Sequence, residues 1–331
     1  MKALVLETLH QAPVYKEVET PSPKTGEVLI KIHAAALNHR DVYITKGQYA
    51  RIITPIILGS DGAGVVAELG PDVDKSWLNK AVIINPSIDW GDNPQVQAKH
   101  YNILGMPSNG CFAEYVCVPA SRLAEKPAQL SFEQAASIPL AGLTGYRALF
   151  TKGALQKGEK LLISGIGGGV ALISLQMAVA AGASVWVTSG SQDKIDAAIA
   201  LGAKGGVNYK AEDWAKQLKT AATGFDLILD SAGGSGFKHF LDLANPAGRI
   251  VFYGGTNGNF EVNPQKMFWK QLSIMGSTMG NDDDFEAMLS LFNEHKITPT
   301  VHQSWPLEQG AAAFQYMEAG KQLGKIVLTT I

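Results

Sequence analysis

Residues 161–192 contain no Asp, Glu, Lys, Arg or His, and this uncharged run limits the fold more than any other feature. A membrane-spanning helix needs roughly 20 continuous helical residues, but Gly165, Gly167, Gly168, Gly169 and Gly182 break the run into short pieces. The pieces read as buried core. A strand at 160–164 leads through a glycine turn into a helix over 170–181, with Leu172, Leu175 and Val179 at helical spacing, and then into a strand at 185–188. A helix at 193–201 and strands at 225–230 and 249–253 continue the alternation. Strands alternating with helices of about 10–15 residues imply right-handed βαβ crossovers and a parallel sheet.

The first third reads differently. Polar–apolar alternation and β-branched residues predict strands at 28–34, 62–70, 81–84 and 112–118, between Gly, Pro and Asp punctuation. Residues 85–109, with Pro86, Pro94 and Pro107, read as a long polar loop, and such loops are usually functional or a lobe of their own. The tail predicts helices at 283–293 and 309–319 and a strand at 325–328. With 331 residues, about two domains are expected.

Composition excludes some functions. Lys and Arg number 28 against 30 Asp and Glu, so there is no basic field to hold a nucleic-acid backbone. Hydrophobic residues at 46% and charged residues at 18% exclude intrinsic disorder. Cys111 and Cys117 are the only cysteines, too few for a disulfide framework or a structural zinc site. A reducing, cytoplasmic setting is expected, and Glu7 interrupts any signal-peptide apolar region.

The turn Ser164-Gly165-Ile166-Gly167-Gly168-Gly169-Val170-Ala171 lies between a strand and a helix. A dinucleotide pyrophosphate needs close backbone approach and a helix N-terminus with free N–H groups, which this pattern supplies through Ile166, Gly167, Gly168, Gly169 and Val170. A tight turn without a ligand is the alternative. After the next strand, NAD enzymes place a carboxylate on the ribose 2′-OH. Here the run is Thr188-Ser189-Gly190-Ser191-Gln192-Asp193-Lys194. Hydroxyls can bond a 2′-phosphate and a lysine can neutralise it, so Ser189 and Lys194 point to NADPH. Otherwise Ser189 caps the helix and Lys194 lies on its solvated face.

Six segments in order carry a family resemblance: 38–43 (NHRDVY), 58–64 (LGSDGAG), 110–115 (GCFAEY), 139–146 (PLAGLTGY), the glycine turn and 323–328 (LGKIVL). Over essentially its full length the chain resembles the medium-chain dehydrogenase/reductase superfamily, and within it the zinc-independent, quinone-oxidoreductase-like branch. The resemblance implies an α/β protein in which a GroES-like, β-rich catalytic domain, built from both chain ends (1–126 and 277–331), surrounds a Rossmann domain (127–276) with a doubly wound parallel sheet. It also implies a cofactor cleft between them. Three positions that hold catalytic zinc in metal-containing relatives carry Asn38, Ser60 and Leu140 here. Asn and Ser are poor zinc ligands and Leu is none, so no metal is expected.

Without a Lewis acid, hydride delivery to an already polarised acceptor remains feasible, and a quinone or an α,β-unsaturated carbonyl is the expected substrate. The resemblance puts Tyr43 at a proton-relay position, where its hydroxyl could serve the substrate oxygen or the cofactor ribose. Asn38 brings a neutral donor into the vacated metal position, and Ser60 and Trp269 join these two as substrate contacts. Trp269 and Phe268 could equally just pack. By the same resemblance His39 and Lys325 reach the pyrophosphate, Thr144 the nicotinamide and Tyr209 the 2′-phosphate. Gly254, Gly255, Ser277 and Thr278 close the nicotinamide side. Each of His39, Thr144, Tyr43 and Asn38 also has a plain structural reading as a local histidine, a helix cap, a packed aromatic or a turn-former. Residues 271–276 read as an apolar last strand whose pairing with a two-fold mate would make a homodimer. An alcohol or aldehyde dehydrogenase, or an NADPH-binding protein without turnover, are the rival functions.

Overall fold

A computed structural model describes residues 1–330 as two compact units. The first comprises Met1–Ala141, Asn281–Leu289 and Thr298–Ile331, and the second Gly142–Gly280 and Ser290–Ile297. Residues 127–141 thus lie with the first unit, where the Phe132–Ala136 helix packs on the strands Glu27–Ala36 and Asp61–Leu69.

A seven-stranded sheet forms the first unit's frame. Its path runs Leu123–Glu125, Ala81–Ile84, Asp61–Leu69, Glu27–Ala36, Lys325–Thr329, Val301–Pro306, and Tyr115–Pro119 also pairs with Glu27–Ala36. In Glu27–Ala36 the alternation of apolar and polar residues puts Val28, Ile30 and Ile32 into a core with Leu4, Phe112 and Leu328. Register then positions the chemistry. Ala36 pairs with Asp61 on one side and Val327 on the other, so Asn38, Asp61 and Lys325 meet at one end of the sheet.

The second unit is a six-stranded parallel sheet in the order Gly205–Asn208, Ser184–Ser189, Lys160–Ile163, Phe225–Asp230, Ala244–Phe252, Ser273–Gly276. The helix Gly169–Ala180 follows Lys160–Ile163 and buries Leu172, Ile173, Leu175 and Met177. A helix apolar nearly all round can only lie inside a protein or a membrane. Each such side chain removed from water contributes about 1.5–3 kcal/mol. No helix of the described residues is long and apolar enough to cross a membrane.

Two elements differ from the sequence expectation, and a third resolves an alternative left open there. The strand predicted from 112 starts at Tyr115, because the N–H groups of Gly110, Cys111 and Phe112 go to the carbonyls of Ile57, Gly59 and Leu58. The last strand of the parallel sheet starts at Ser273, because Gln271 caps the Pro264–Lys270 helix in the left-handed conformation (φ +53°). Residues 85–109, expected as a functional loop or a lobe of their own, form a small lobe. Ser87–Ile88 pairs with Asn102–Ile103, Trp90 packs edge-on against Tyr101, and Leu104 and Met106 enter the core.

Candidate active site

Four charged side chains, Arg40, Asp41, Asp61 and Lys325, are buried around Asn38 and Ser60 in the first unit. Lys325 is 3% exposed and Asp61 fully enclosed. The Lys325 ammonium donates to Asp61 Oδ2 (2.9 Å) and to Asn38 Oδ1 (2.6 Å). Asn38 Nδ2 donates to the same Asp61 oxygen (2.9 Å), and the Leu140 N–H donates to the other, Oδ1 (2.7 Å). Every oxygen and nitrogen of this knot therefore has a partner, which a buried ion pair requires to offset its desolvation.

Asn38 also opens the helix His39–Thr45, its N–H donating to Asp41 Oδ2 (2.8 Å). The second oxygen, Asp41 Oδ1, is buried without a partner. Burial pushes the Asp41 carboxyl up to about 6, against the opposing pull of the Arg40 charge and the Asn38 N–H. Arg40 donates through Nη1 to Ser60 Oγ and to the Leu104 carbonyl (3.0 Å), and the Tyr49 ring lies over its guanidinium, 5.0 Å from Cζ. His39 and Tyr43 sit one helical turn apart with ring centroids 6.5 Å apart. His39 stays partly exposed, yet desolvation and then the Lys325 charge hold its imidazole below its ordinary value.

In the second unit the glycine turn has the properties of an anion cradle. Gly167 adopts φ +139°, and a Cβ there would meet Lys194 Cδ at 2.8 Å, so the lysine lies against the turn. Gly168 is the N-cap of the Gly169–Ala180 helix, no side chain caps it, and a Cβ on it would enter open space. The N–H groups of the first turn, at Gly169, Val170 and Ala171, keep the outward donors that helix ends leave unsatisfied. Ile166 is buried, and its N–H is tied to the Thr188 carbonyl (2.7 Å). Asp230 receives the Ser164 hydroxyl and the Gly233 N–H, fixing the strand ends beneath the turn.

Beside this cradle, Gly190 allows a close approach. A Cβ there would come within 2.8 Å of the Tyr209 hydroxyl and 2.9 Å of Lys210 Cε. The exposed Tyr209 and Lys210 thus stand at the end of the Ser184–Ser189 strand, facing the same side as its terminal loop. Ser189 is more constrained than its sequence suggests: its hydroxyl donates to the Ile166 carbonyl (3.3 Å) and accepts from the Ser191 N–H (3.3 Å). Burial lowers the Lys194 ammonium below its ordinary range, a cost that a bound phosphate would offset.

The remaining sequence-derived residues fall in several places. Thr144 is buried and its hydroxyl reaches Met279 Sδ (3.8 Å). Gly254 lies against the Ser231 carbonyl, Gly255 faces open space, and the buried Ser277 hydroxyl has no partner, with Thr278 exposed beside it. Trp269 is 79% exposed, next to Phe268 at 60% on the Pro264–Lys270 helix. Sequence reasoning missed Asp61, Arg40 and Lys210. Asp61 and Arg40 stand inside the segments that carry the resemblance, and Lys210 directly follows Tyr209.

Residues 24–128 match the alcohol dehydrogenase GroES-like domain, and residues 169–294 match the zinc-binding dehydrogenase model. A zinc-type alcohol dehydrogenase-like protein of Leptosphaeria maculans is 33% identical, over 94% of this chain and 92% of its own length. The quinone oxidoreductase of Rattus norvegicus is 28% identical over 94% of this chain and 92% of that protein. A crystal structure of an NAD-dependent alcohol dehydrogenase superposes with a TM-score of 0.94 at 34% identity, covering 100% of both chains.

Proposed function

Because the chain belongs to the medium-chain dehydrogenase/reductase superfamily, we propose that it is a metal-independent reductase using NADPH to reduce quinones or α,β-unsaturated carbonyl compounds. The chain is an oxidoreductase of that superfamily.

One observation carries the metal-independent part. The positions that the resemblance aligns with zinc ligands are Asn38, Ser60 and Leu140, and the first two give their oxygens to fixed cations, Lys325 and Arg40. Leu140 offers only a backbone N–H, already bonded to Asp61. Among the described residues no three of His, Cys, Asp and Glu gather to hold a metal. A donor set of amide, hydroxyl and aliphatic side chain, two of them engaged by cations, does not fit catalytic zinc.

The cofactor fits the second unit. The free N–H groups at Gly169 and Val170 and the open face of Gly168 suit a pyrophosphate. Lys194, Tyr209 and Lys210 suit a 2′-phosphate, whose roughly two negative charges need neighbouring cations. When bound, the reduced nicotinamide supplies hydride. Asn38 and Tyr43 are the side chains we assign to contact with the acceptor. His39, Thr144, Gly254, Gly255, Ser277, Thr278 and Lys325 remain proposed cofactor contacts. For Lys325 the contact would be through its field, since its ammonium is already bonded. The proposed setting is cytoplasmic, consistent with the two free thiols.

Calorimetric titration of both cofactors tests this reading. NADPH is expected to bind more tightly than NADH. Lys194→Ala should weaken NADPH about ten- to hundredfold, the loss of a charge-assisted hydrogen bond, and leave NADH unchanged. Equal affinity for the two cofactors in the unaltered protein would favour an NAD-dependent enzyme instead.

A homodimer completes the proposal. Ser273–Gly276 is an edge of the parallel sheet, and the exposed Phe268 and Trp269 lie just before it. An open edge beside exposed aromatics is an aggregation hazard that two-fold pairing removes. Light scattering at micromolar concentration should give twice the chain mass, and Trp269→Asp should shift it toward one. A monomeric unaltered protein rules this assembly out.

A further inference from the structure

Arg40 is 8% exposed, and its partners are all neutral. Nη1 donates to Ser60 Oγ and the Leu104 carbonyl, Nε lies 3.5 Å from the Tyr49 hydroxyl, and the Tyr49 ring covers the guanidinium face. Nη2 is buried with no partner at all. The nearest carboxyl in sequence, Asp41, directs its bonded oxygen to the Asn38 N–H. Lys325, the other buried cation of this unit's site, is fully matched by Asp61. Arg40 and Asp41 feel one another's charge, but no ion-pair contact joins them, and a buried cation with an unmade hydrogen bond is costly, a cost that a negative oxygen at Nη2 would lower. Tyr49, whose ring lies over the guanidinium, sits on an exposed surface turn.

We propose that Arg40 is the electrophile of this protein: its Nη2 receives the oxygen of the carbonyl or quinone substrate and stabilises the negative charge that forms there during reduction. This rests on the reductase reading above and deepens it. With an α,β-unsaturated ketone, hydride from the reduced nicotinamide forms a C–H bond at the β-carbon. The C=C pair shifts to join the α-carbon to the carbonyl carbon, and the carbonyl π pair moves onto oxygen, giving an enolate held at Arg40. A proton from water then forms the α C–H bond, leaving the saturated ketone and the oxidised cofactor. Donors fixed where charge develops are worth most in a water-excluded site, and the fork of Arg40 is fixed by Ser60 and Leu104. A quinone fits the same scheme, with the hydroquinone anion as the held species.

The test compares the unaltered protein with Arg40→Met, Arg40→Lys and Arg40→Ala. Steady-state reduction of an ortho-quinone and of an α,β-unsaturated ketone is measured, together with NADPH affinity and binding of benzoate as an oxyanion probe. Arg40→Met should lower kcat by roughly 10²–10³, the usual loss for one oxyanion donor, with NADPH affinity unchanged and benzoate binding lost. Millimolar guanidinium should restore part of the activity of Arg40→Ala. Arg40→Lys, which keeps the charge without the fork, should fall between and stands in if the methionine variant does not fold. Unchanged kcat in a folded Arg40→Met or Arg40→Lys protein overturns the proposal while leaving the reductase reading intact. An unaltered protein that turns over no acceptor, yet binds benzoate through Arg40, removes the reductase reading and keeps Arg40 as an anion site.

Discussion

Lys325→Met is expected to destabilise the protein by about 3–5 kcal/mol, the usual cost of leaving one member of a buried ion pair unmatched. Asp61 is fully enclosed, and with Lys325 gone its Oδ2 keeps only the Asn38 amide, while Asn38 Oδ1 loses the Lys325 ammonium. Adding Asp61→Asn to the same chain removes the stranded charge. The double variant should recover at least half of the loss, because the two positions touch and their effects do not add. Urea unfolding of the four proteins provides the cycle. A single-variant loss below about 1 kcal/mol, the range of a surface pair, would mean that the knot is hydrated and the buried-pair account is wrong.

Gly168→Asp should separate folding from cofactor binding. The N-cap position has φ −75° and ψ 159°, a conformation any residue adopts, and the added side chain meets nothing within 4 Å. Aspartate is among the best N-caps and glycine only a few tenths of a kcal/mol worse, so stability should hold or rise slightly. The same carboxylate would occupy the face offered to the pyrophosphate. Two unit charges about 4 Å apart repel by roughly 4 kcal/mol at the effective dielectric of a protein surface. The expected result is therefore at least a hundredfold loss of nicotinamide dinucleotide affinity with an undiminished melting temperature. A variant that binds cofactor normally would move the anion site away from this turn.

The parallel sheet was legible because its signals are local. An uncharged run cut by glycines at 165–169 can be little else than strand, turn and helix, and the strand spacing that follows repeats the unit. The GroES-like unit was legible only through the resemblance, since its sheet joins Glu27–Ala36 to Lys325–Thr329 across most of the chain, and no local pattern states that pairing. The candidate site divides the same way. Gly167, Gly168 and Lys194 lie within one βαβ unit, and their proximity follows from its geometry. The knot of Asn38, Asp61 and Lys325 depends on register at Ala36, where a shift of one residue would turn Asp61 to the other face. Ser189 shows the limit from the other side: its residue type suggests a ligand contact, but the hydroxyl is spent on its own turn, and only coordinates reveal that. Trp269 is a second case, an aromatic suited to a substrate wall that the helix turns to the surface.

In the proposed reaction hydride reaches an activated carbonyl without metal assistance. This is tested most directly by following NADPH oxidation with an ortho-quinone before and after exhaustive chelation, with the metal content of the same samples measured. The account predicts an unchanged rate with well under one zinc per chain in both samples. Activity lost on chelation and restored by one equivalent of zinc would contradict it.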